Sequence, residues 1–248
     1  MIKLLCDGAS DLYGRSDLKI IGVLSPMINN ISECDYSKHL WWSLYSSGVK
    51  LKSSQVTEYQ LLSQISNDIE LGYNEFIVVT INSAVSGFYN NCAYLEKYPP
   101  FEGIRIKFID SRQVSYCFGM PLLECQDRIL KYNYNFDQAI EFLENELPRY
   151  SMYYIIPTTT KSLNGKVETS MARNYSVLKS NTEYAPSILI GSYNSYYEAR
   201  RKILNLTRDK QFLGKIRSDY SIKNYIGEFG GSLIATAGTG TVGYLFKN

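Results

Sequence analysis

The opening residues alternate between short apolar runs and polar loops. Ile2 to Cys6 is followed by Asp7-Gly8-Ala9-Ser10-Asp11, and Ile20 to Ile28 forms a second apolar run, so a strand ending in a polar loop is expected at each. Between Asp35 and Ser47, Leu40, Trp41, Leu44 and Tyr45 recur at helical spacing and Gly48 offers a stop, which predicts a helix. Lys52 to Thr57 leads into a second helix whose inner face is Tyr59, Leu61, Leu62, Ile65, Ile69 and Leu71, with Thr57 as its cap. Phe76 to Ile81 is β-branched and apolar throughout, the pattern of a parallel strand covered on both faces. Asn82, Ser83, Ser86 and Gly87 follow at once, and a helix runs on through Tyr94 and Leu95.

Ile104 to Ile109 predicts another strand, ending at Asp110-Ser111, and two helices follow, from Ser115 to Tyr132 and from Phe136 to Leu147. Past Pro148 the expected elements are strands at Met152–Ile156, Ala185–Ile190 and Ser232–Ala237, and helices at Val167–Lys179, Tyr196–Phe212 and Tyr220–Phe229. The glycine-rich tail at Gly238, Gly240 and Gly243 has too little chain behind it for a phosphate loop and a helix, so a tight C-terminal turn is expected. The alternation argues for an α/β protein of two α/β domains, residues 1–150 and 151–248. The first is expected to have a mainly parallel sheet covered by helices on both faces.

Composition narrows the function. The 248 residues carry 26 basic and 24 acidic side chains, interspersed, so nothing resembles the basic stripe of a nucleic-acid binder. No apolar run approaches the ~20 residues needed to span a bilayer, and MIKLLCDGASD turns polar too early for a signal peptide, which points to a cytoplasmic protein. Five scattered cysteines without a C-x-x-C pair fit reduced thiols. The single histidine, His39, argues against a His-rich metal site or a Ser/His/Asp triad and suits a packing role. The 22 tyrosines suit either an amphipathic cavity or compositional drift, with drift preferred.

In an open α/β sheet, ligands are held at the carboxyl ends of strands, and a helix start favours an anion. Ser86-Gly87 occupies such a place, although Ser86 serves equally as a helix cap. Ser53 and Ser54 have the same two readings, and Asp7 and Asp110, at strand ends, suit bracing of turns more than catalysis. Arg200, Arg201 and Lys202 read as a solvated helix face or a docking surface for an acidic partner.

Six short motifs in order resemble the DegV family, whose members bind a fatty acid between two α/β domains of the EDD-type fold. They are Asp7-Gly8-Ala9-Ser10-Asp11-Leu12, Ser53-Ser54-Gln55, Val85-Ser86-Gly87-Phe88-Tyr89-Asn90, Phe108-Ile109-Asp110-Ser111-Arg112, Asn164-Gly165-Lys166-Val167 and Thr236 to Gly243. The resemblance implies a lipid-binding protein without cofactor or metal. It would hold a long-chain fatty acid by its carboxylate with Ser53, Ser54, Ser86, Gly87 and Thr236, supported by Asp7, Asp110 and Lys166. It also implies presentation to an ATP-dependent partner fatty acid kinase in bacterial phospholipid metabolism; the chain has no G-x-x-x-x-G-K-[ST] of its own.

Three positions depart from that pattern. Thr236 stands for the family histidine and carries no proton near pH 7; Lys166 stands for an arginine and lacks its planar fork; Phe88 replaces a threonine. The segment between the Arg200-Arg201 helix and the last strand is also shorter than the family pattern, making this a divergent, shortened member with a short second domain. A neutral or shorter lipid is the alternative ligand. A small-molecule hydrolase or transferase at the same strand ends, or an interaction protein that has lost the ligand, are the alternative functions.

Overall fold

The computed structural model describes residues 1–157, 175–180, 187–218, 222 and 224–248. The first part of the chain runs β1 (Ile2–Asp7), β2 (Ile21–Leu24), β3 (Met27–Ile28), β4 (Ile31–Ser32), α1 (Lys38–Ser46), β5 (Ser53–Ser54), α2 (Glu58–Glu70) and β6 (Glu75–Thr80). It continues through α3 (Phe88–Cys92), β7 (Arg105–Asp110), α4 (Tyr116–Tyr132) and α5 (Phe136–Glu146). The remainder comprises β8 (Tyr150–Pro157), β9 (Tyr175–Ser180), β10 (Ser187–Tyr193), α6 (Tyr196–Leu206), β11 (Gln211–Arg217), β12 (Gly227–Glu228), α7 (Gly231–Ala237) and β13 (Val242–Lys247).

Strands β2-β1-β6-β7 form a sheet in which every neighbouring pair is parallel, as the apolar runs predict. Successive side chains of a strand point to opposite faces, and here both faces are covered. Leu4, Cys6, Ile77 and Val79 join a core with residues of α1, α4 and α5. Leu5, Phe76, Val78 and Phe108 join another with residues of α2 and α3. Thr57 caps α2 in a reciprocal capping box with Gln60, as its position predicts.

The second sheet has the order β10-β9-β8-β13-β11-β12 and is mostly antiparallel. One face, with Met152, Tyr154, Ile156 and Leu245, merges with the core under α4 and α7. The other, with Tyr153, Ile155, Tyr244 and Phe246, packs on Ala199 and Ile203 of α6. Several expectations for this half are corrected. Ser232–Ala237 is helical, as α7. The expected helix Val167–Lys179 contains β9 in its described part, and its residues up to 174 lie outside the described residues. The helix expected to reach Phe212 ends at Leu206, and the chain re-enters the sheet at Gln211. In the expected helix Tyr220–Phe229, Gly227–Glu228 is a strand. The tail is not only a turn: Gly238 and Gly240 adopt φ of 77° and 81°, after which β13 enters the middle of the sheet.

All five cysteines are free. His39 is a half-buried packing residue, stacked 4.6 Å from Trp42 with Nε2 3.4 Å from Glu228 Oε1. Helix α4 approaches the loop after β1 so closely that a Cβ on Gly119 would lie 2.6 Å from the Ser10 carbonyl oxygen and 3.1 Å from Leu12 Cδ2. Backbone cannot yield as a side-chain tip can, so Gly119→Ala is expected to cost ~1–3 kcal/mol in urea denaturation. An unchanged midpoint would contradict this close approach.

Candidate functional site

The carboxyl end of β6 leads into the turn 81–87. Asn82 Oδ1 accepts from Ala84 N at 2.8 Å, and the Asn82 carbonyl accepts from Val85 N at 2.9 Å and Ser86 N at 3.2 Å. Asp110, at the end of β7, accepts from Ser83 N at 3.1 Å, Ser83 Oγ at 2.6 Å and Arg112 N at 3.0 Å. It braces the turn from behind and does not line the cavity described next. Ser86 does not cap α3; Gly87 is the capping residue, and Ser86 Oγ accepts only a long 3.4 Å bond from Phe88 N.

Opposite this turn lies β5. Ser53 and Ser54 pair with Ile28 and Met27 in a small antiparallel ribbon, so they are not the cap of α2. The two loops meet closely: a Cβ on Gly87 would stand 2.5 Å from Gln55 Oε1. Gly87 has φ −75°, which any residue adopts, and the atom in the way is the tip of the Gln55 side chain, which can turn aside.

Between these loops, α7 and β8 lies a cavity of about 310 Å³. That is at the lower end of ordinary ligand pockets. Ser53, Ser54, Ser86, Gly87, Thr236 and Asp7 all line it, so four separate stretches of sequence meet there. Lys166 lies outside the described residues. Ser232, Leu233, Thr236 and Ala237 present one face of α7 to the cavity, and Thr236 Oγ1 donates back to the Ser232 carbonyl at 3.3 Å. Part of the buried wall is apolar, with Ile156 and Leu178 4% and 3% exposed, while Asp7 and Ser115 are buried polar residues of the same lining. Ser53 and Ser54 are exposed, and Ser86 and Thr236 are half-buried, which places the hydroxyls at the rim. Among its described lining residues there is no Lys, Arg or His. Of the described tyrosines only Tyr154 lines it; Tyr13, Tyr116, Tyr150, Tyr153 and Tyr244 are packed in the core.

Asp7 is buried and its carboxyl is pushed up to about 7 by burial, against the pull of two backbone bonds. Those bonds, from Ala9 N at 3.0 Å and Ile81 N at 2.9 Å, use both oxygens and tie the first polar loop to the end of β6. This is bracing, the role favoured for strand-end carboxylates.

Behind the cavity is a buried polar cluster that sequence reasoning missed. Asp11 accepts from Gly230 N at 2.6 Å and from Ser115 Oγ. Glu33 accepts from Ser232 N at 3.0 Å, from Ser232 Oγ and from Tyr13 Oη at 3.2 Å. Lys38 Nζ donates to the Asp11 carbonyl at 2.5 Å and sits 4.8 Å from the Tyr13 ring centroid. Two carboxylates from the first part of the chain thus hold the start of α7, the helix that carries Thr236. Burial raises Glu33 and pushes Asp11 up to about 7, and it lowers Lys38. Asp11 stood in the first motif, but Glu33 and Lys38 lie in polar stretches without a recognisable pattern.

A profile of the family described as "Uncharacterised protein, DegV family" matches residues 28–164. The chain belongs to the DegV family. A DegV domain-containing protein of Clostridium acetobutylicum is 32% identical over 94 residues, which make up 38% of this chain and 32% of that protein. Among solved structures, the fatty acid binding DegV family protein of Streptococcus agalactiae is similar at TM-score 0.80 and 16% identity, covering 100% of this chain and 98% of that one. A DegV family protein of Eubacterium eligens loaded with heptadecanoic acid matches at TM-score 0.76 and 15% identity over 100% of both chains. DegV of Bacillus subtilis, a fatty acid binding protein, matches at 0.79 and 13%, over 100% and 99%. These likenesses establish the two-sheet α/β fold of the DegV proteins for this chain.

Proposed function

We propose that the protein is a lipid carrier holding a long-chain fatty acid in this cavity, with the carboxylate at the rim and the tail inward. The observation that carries the reading is the make-up of the cavity, with exposed hydroxyls at Ser53 and Ser54 and half-buried ones at Ser86 and Thr236 set against buried apolar walls at Ile156 and Leu178. A carboxylate leaving bulk water needs several donors, and these hydroxyls with the N–H groups around Gly87 supply them. The tail adds about 0.8 kcal/mol per buried CH₂, so affinity comes from the tail and orientation from the rim. The heptadecanoic acid carried by the relative of Eubacterium eligens and the fatty acid binding described for DegV of Bacillus subtilis support this reading.

Residues 1–150 and 151–248 act in this reading as two domains joined by one core, with the ligand against both. With Thr236 in place of a histidine, the head group is met by neutral donors, which favours hydrogen bonding over charge pairing. Lys166 remains the proposed cationic supporter from the second domain. The protein works without a reaction of its own and presents the carboxylate to an ATP-dependent kinase in the cytoplasm; five free thiols fit a reducing compartment. Among the described residues, no helix is long and apolar enough to cross a membrane. Asp7 and Asp110, the bases on which a hydrolase would rest, both have their oxygens engaged, Asp7 by two backbone N–H groups and Asp110 by Ser83 and the Arg112 N–H.

The protein, purified from cells, denatured and extracted, is expected to yield acyl chains in mass spectrometry. Reproducible absence of acyl chains, together with no uptake of added stearate by the folded protein, would refute the carrier function.

A further inference from the structure

The apolar wall of the cavity continues past the enclosed space, along the second sheet. Tyr154 of β8 stands directly opposite Leu178 of β9, and Leu178 directly opposite Leu189 of β10. Residues opposite one another on neighbouring strands share a face, so these three form one row. Tyr154 and Leu178 line the cavity, and so does Ser187, two residues before Leu189 and therefore on the same face of β10. Exposure changes sharply along the row: Tyr154 and Leu178 are 5% and 3% exposed, and Leu189 is 45% exposed. Among the described residues β10 is the edge of its sheet, so no further strand covers that end. Edge strands are commonly protected by charged side chains, and a leucine that prolongs a ligand-lining row does the opposite. The enclosed volume points the same way: about 310 Å³ is at the lower end of ordinary ligand pockets, and a long acyl chain is a large ligand for it.

We propose that the methyl end of a long acyl chain leaves the enclosed cavity past Ser187 and lies on Leu189, so that the site is open-ended and its enclosed volume does not cap chain length. This rests on the fatty-acid reading above. The ligand itself is the occupant of Leu189, because the row reaches that residue without a break from the cavity wall, and a carboxylate held at the rim leaves the other end of the chain to follow it. Ile188 is 48% exposed as well, but it pairs with Lys179 on the opposite face of the sheet and takes no part.

The test measures binding of the full chain to dodecanoic, stearic and docosanoic acids, in competition with radiolabelled stearic acid. Docosanoic acid is expected to bind at least as tightly as stearic acid, because its added carbons extend over the sheet edge. Leu189→Asp is expected to weaken stearic acid about tenfold, the effect of leaving roughly two methylenes without apolar contact, and to leave dodecanoic acid within about twofold. Ile188→Asp places the same charge on the other face and is expected to leave both acids within about twofold. Thermal melting checks the fold of the variants, and the wild-type series decides even where one of them fails to fold. The proposal is overturned, while the fatty-acid reading stands, by any of three results: docosanoic acid bound more than about tenfold more weakly than stearic acid, no loss of stearic acid in Leu189→Asp, or an equal loss in Ile188→Asp or for dodecanoic acid. If the wild type binds none of the acids, both fall.

Discussion

Lys38→Met is expected to destabilise the protein by about 3–5 kcal/mol at pH 8 and by only ~1–2 kcal/mol at pH 5. The Lys38 ammonium is the cation that lowers the carboxyl of Asp11 within the buried cluster behind the cavity, and it also donates to the Asp11 carbonyl. Without it, Asp11 and Glu33 remain enclosed with hydroxyl and backbone donors alone. At pH 8 both must stay charged without their cation or take up protons against the gradient. At pH 5 Asp11, pushed up to about 7, takes up its proton at little cost, burial favours the neutral form of Glu33 as well, and the remaining loss is that of one hydrogen bond to a carbonyl.

The wild type carries the same tendency in weaker form. Burial pushes Asp7 and Asp11 up to about 7 from an ordinary 3.8, so between about pH 4 and 7 the folded protein binds protons that the unfolded chain does not. Their contribution is therefore present below pH 4 and is lost as pH rises through 7. Lys38 is shifted down, so it acts in the opposite sense, stabilising as pH rises toward its ordinary value of 10.5. Tyr13, Tyr116, Glu228 and Arg15, which also act on the cluster, are protonated, paired or half-exposed and do not alter the sign in that window. Urea denaturation at pH 5 and pH 8 measures both effects. An equal loss for Lys38→Met at the two values would mean that the cluster is not electrostatically coupled.

Ala237→Trp is expected to weaken fatty-acid binding by more than about a hundredfold. Ala237 is 9% exposed on the cavity face of α7, one residue beyond Thr236, and an indole there enters the space assigned to the chain. Displacing only four methylenes, at about 0.8 kcal/mol each, removes ~3 kcal/mol, or roughly a hundredfold in affinity. The ring enters a void, so the stability loss stays within the ~1–3 kcal/mol of overpacking, which thermal melting checks. Leu233→Trp, one turn earlier on the same face, blocks the same volume and separates occlusion from a local fault at the helix end. Wild-type affinity for stearate in both variants would place the acyl chain elsewhere.

The parallel sheet was legible because a strand covered on both faces leaves a continuous apolar run, which β1, β6 and β7 carry. The Thr57 cap was legible because its partner Gln60 is three residues away. The second half was misread where short apolar runs have no period long enough to discriminate. Ser232-Leu233-Ile234-Ala235-Thr236-Ala237 has the composition of a strand, yet its first turn is held by Glu33 and Asp11, some two hundred residues away in sequence. Val242 to Lys247 follows a glycine-rich turn that reads as an ending, yet β8 and β11 pair with it on both sides.

Sequence alone determined the α/β alternation, the strand-end loops with Ser53-Ser54 and Ser86-Gly87, and the family pattern that joins them, because these depend on residues close together in the chain. Only the tertiary structure decided that those loops face α7 across one cavity, and that Glu33, Lys38 and Asp11 clamp that helix. Burial and hydrogen-bond satisfaction depend on distant segments meeting, and a local pattern of polar and apolar residues holds no record of which segments meet.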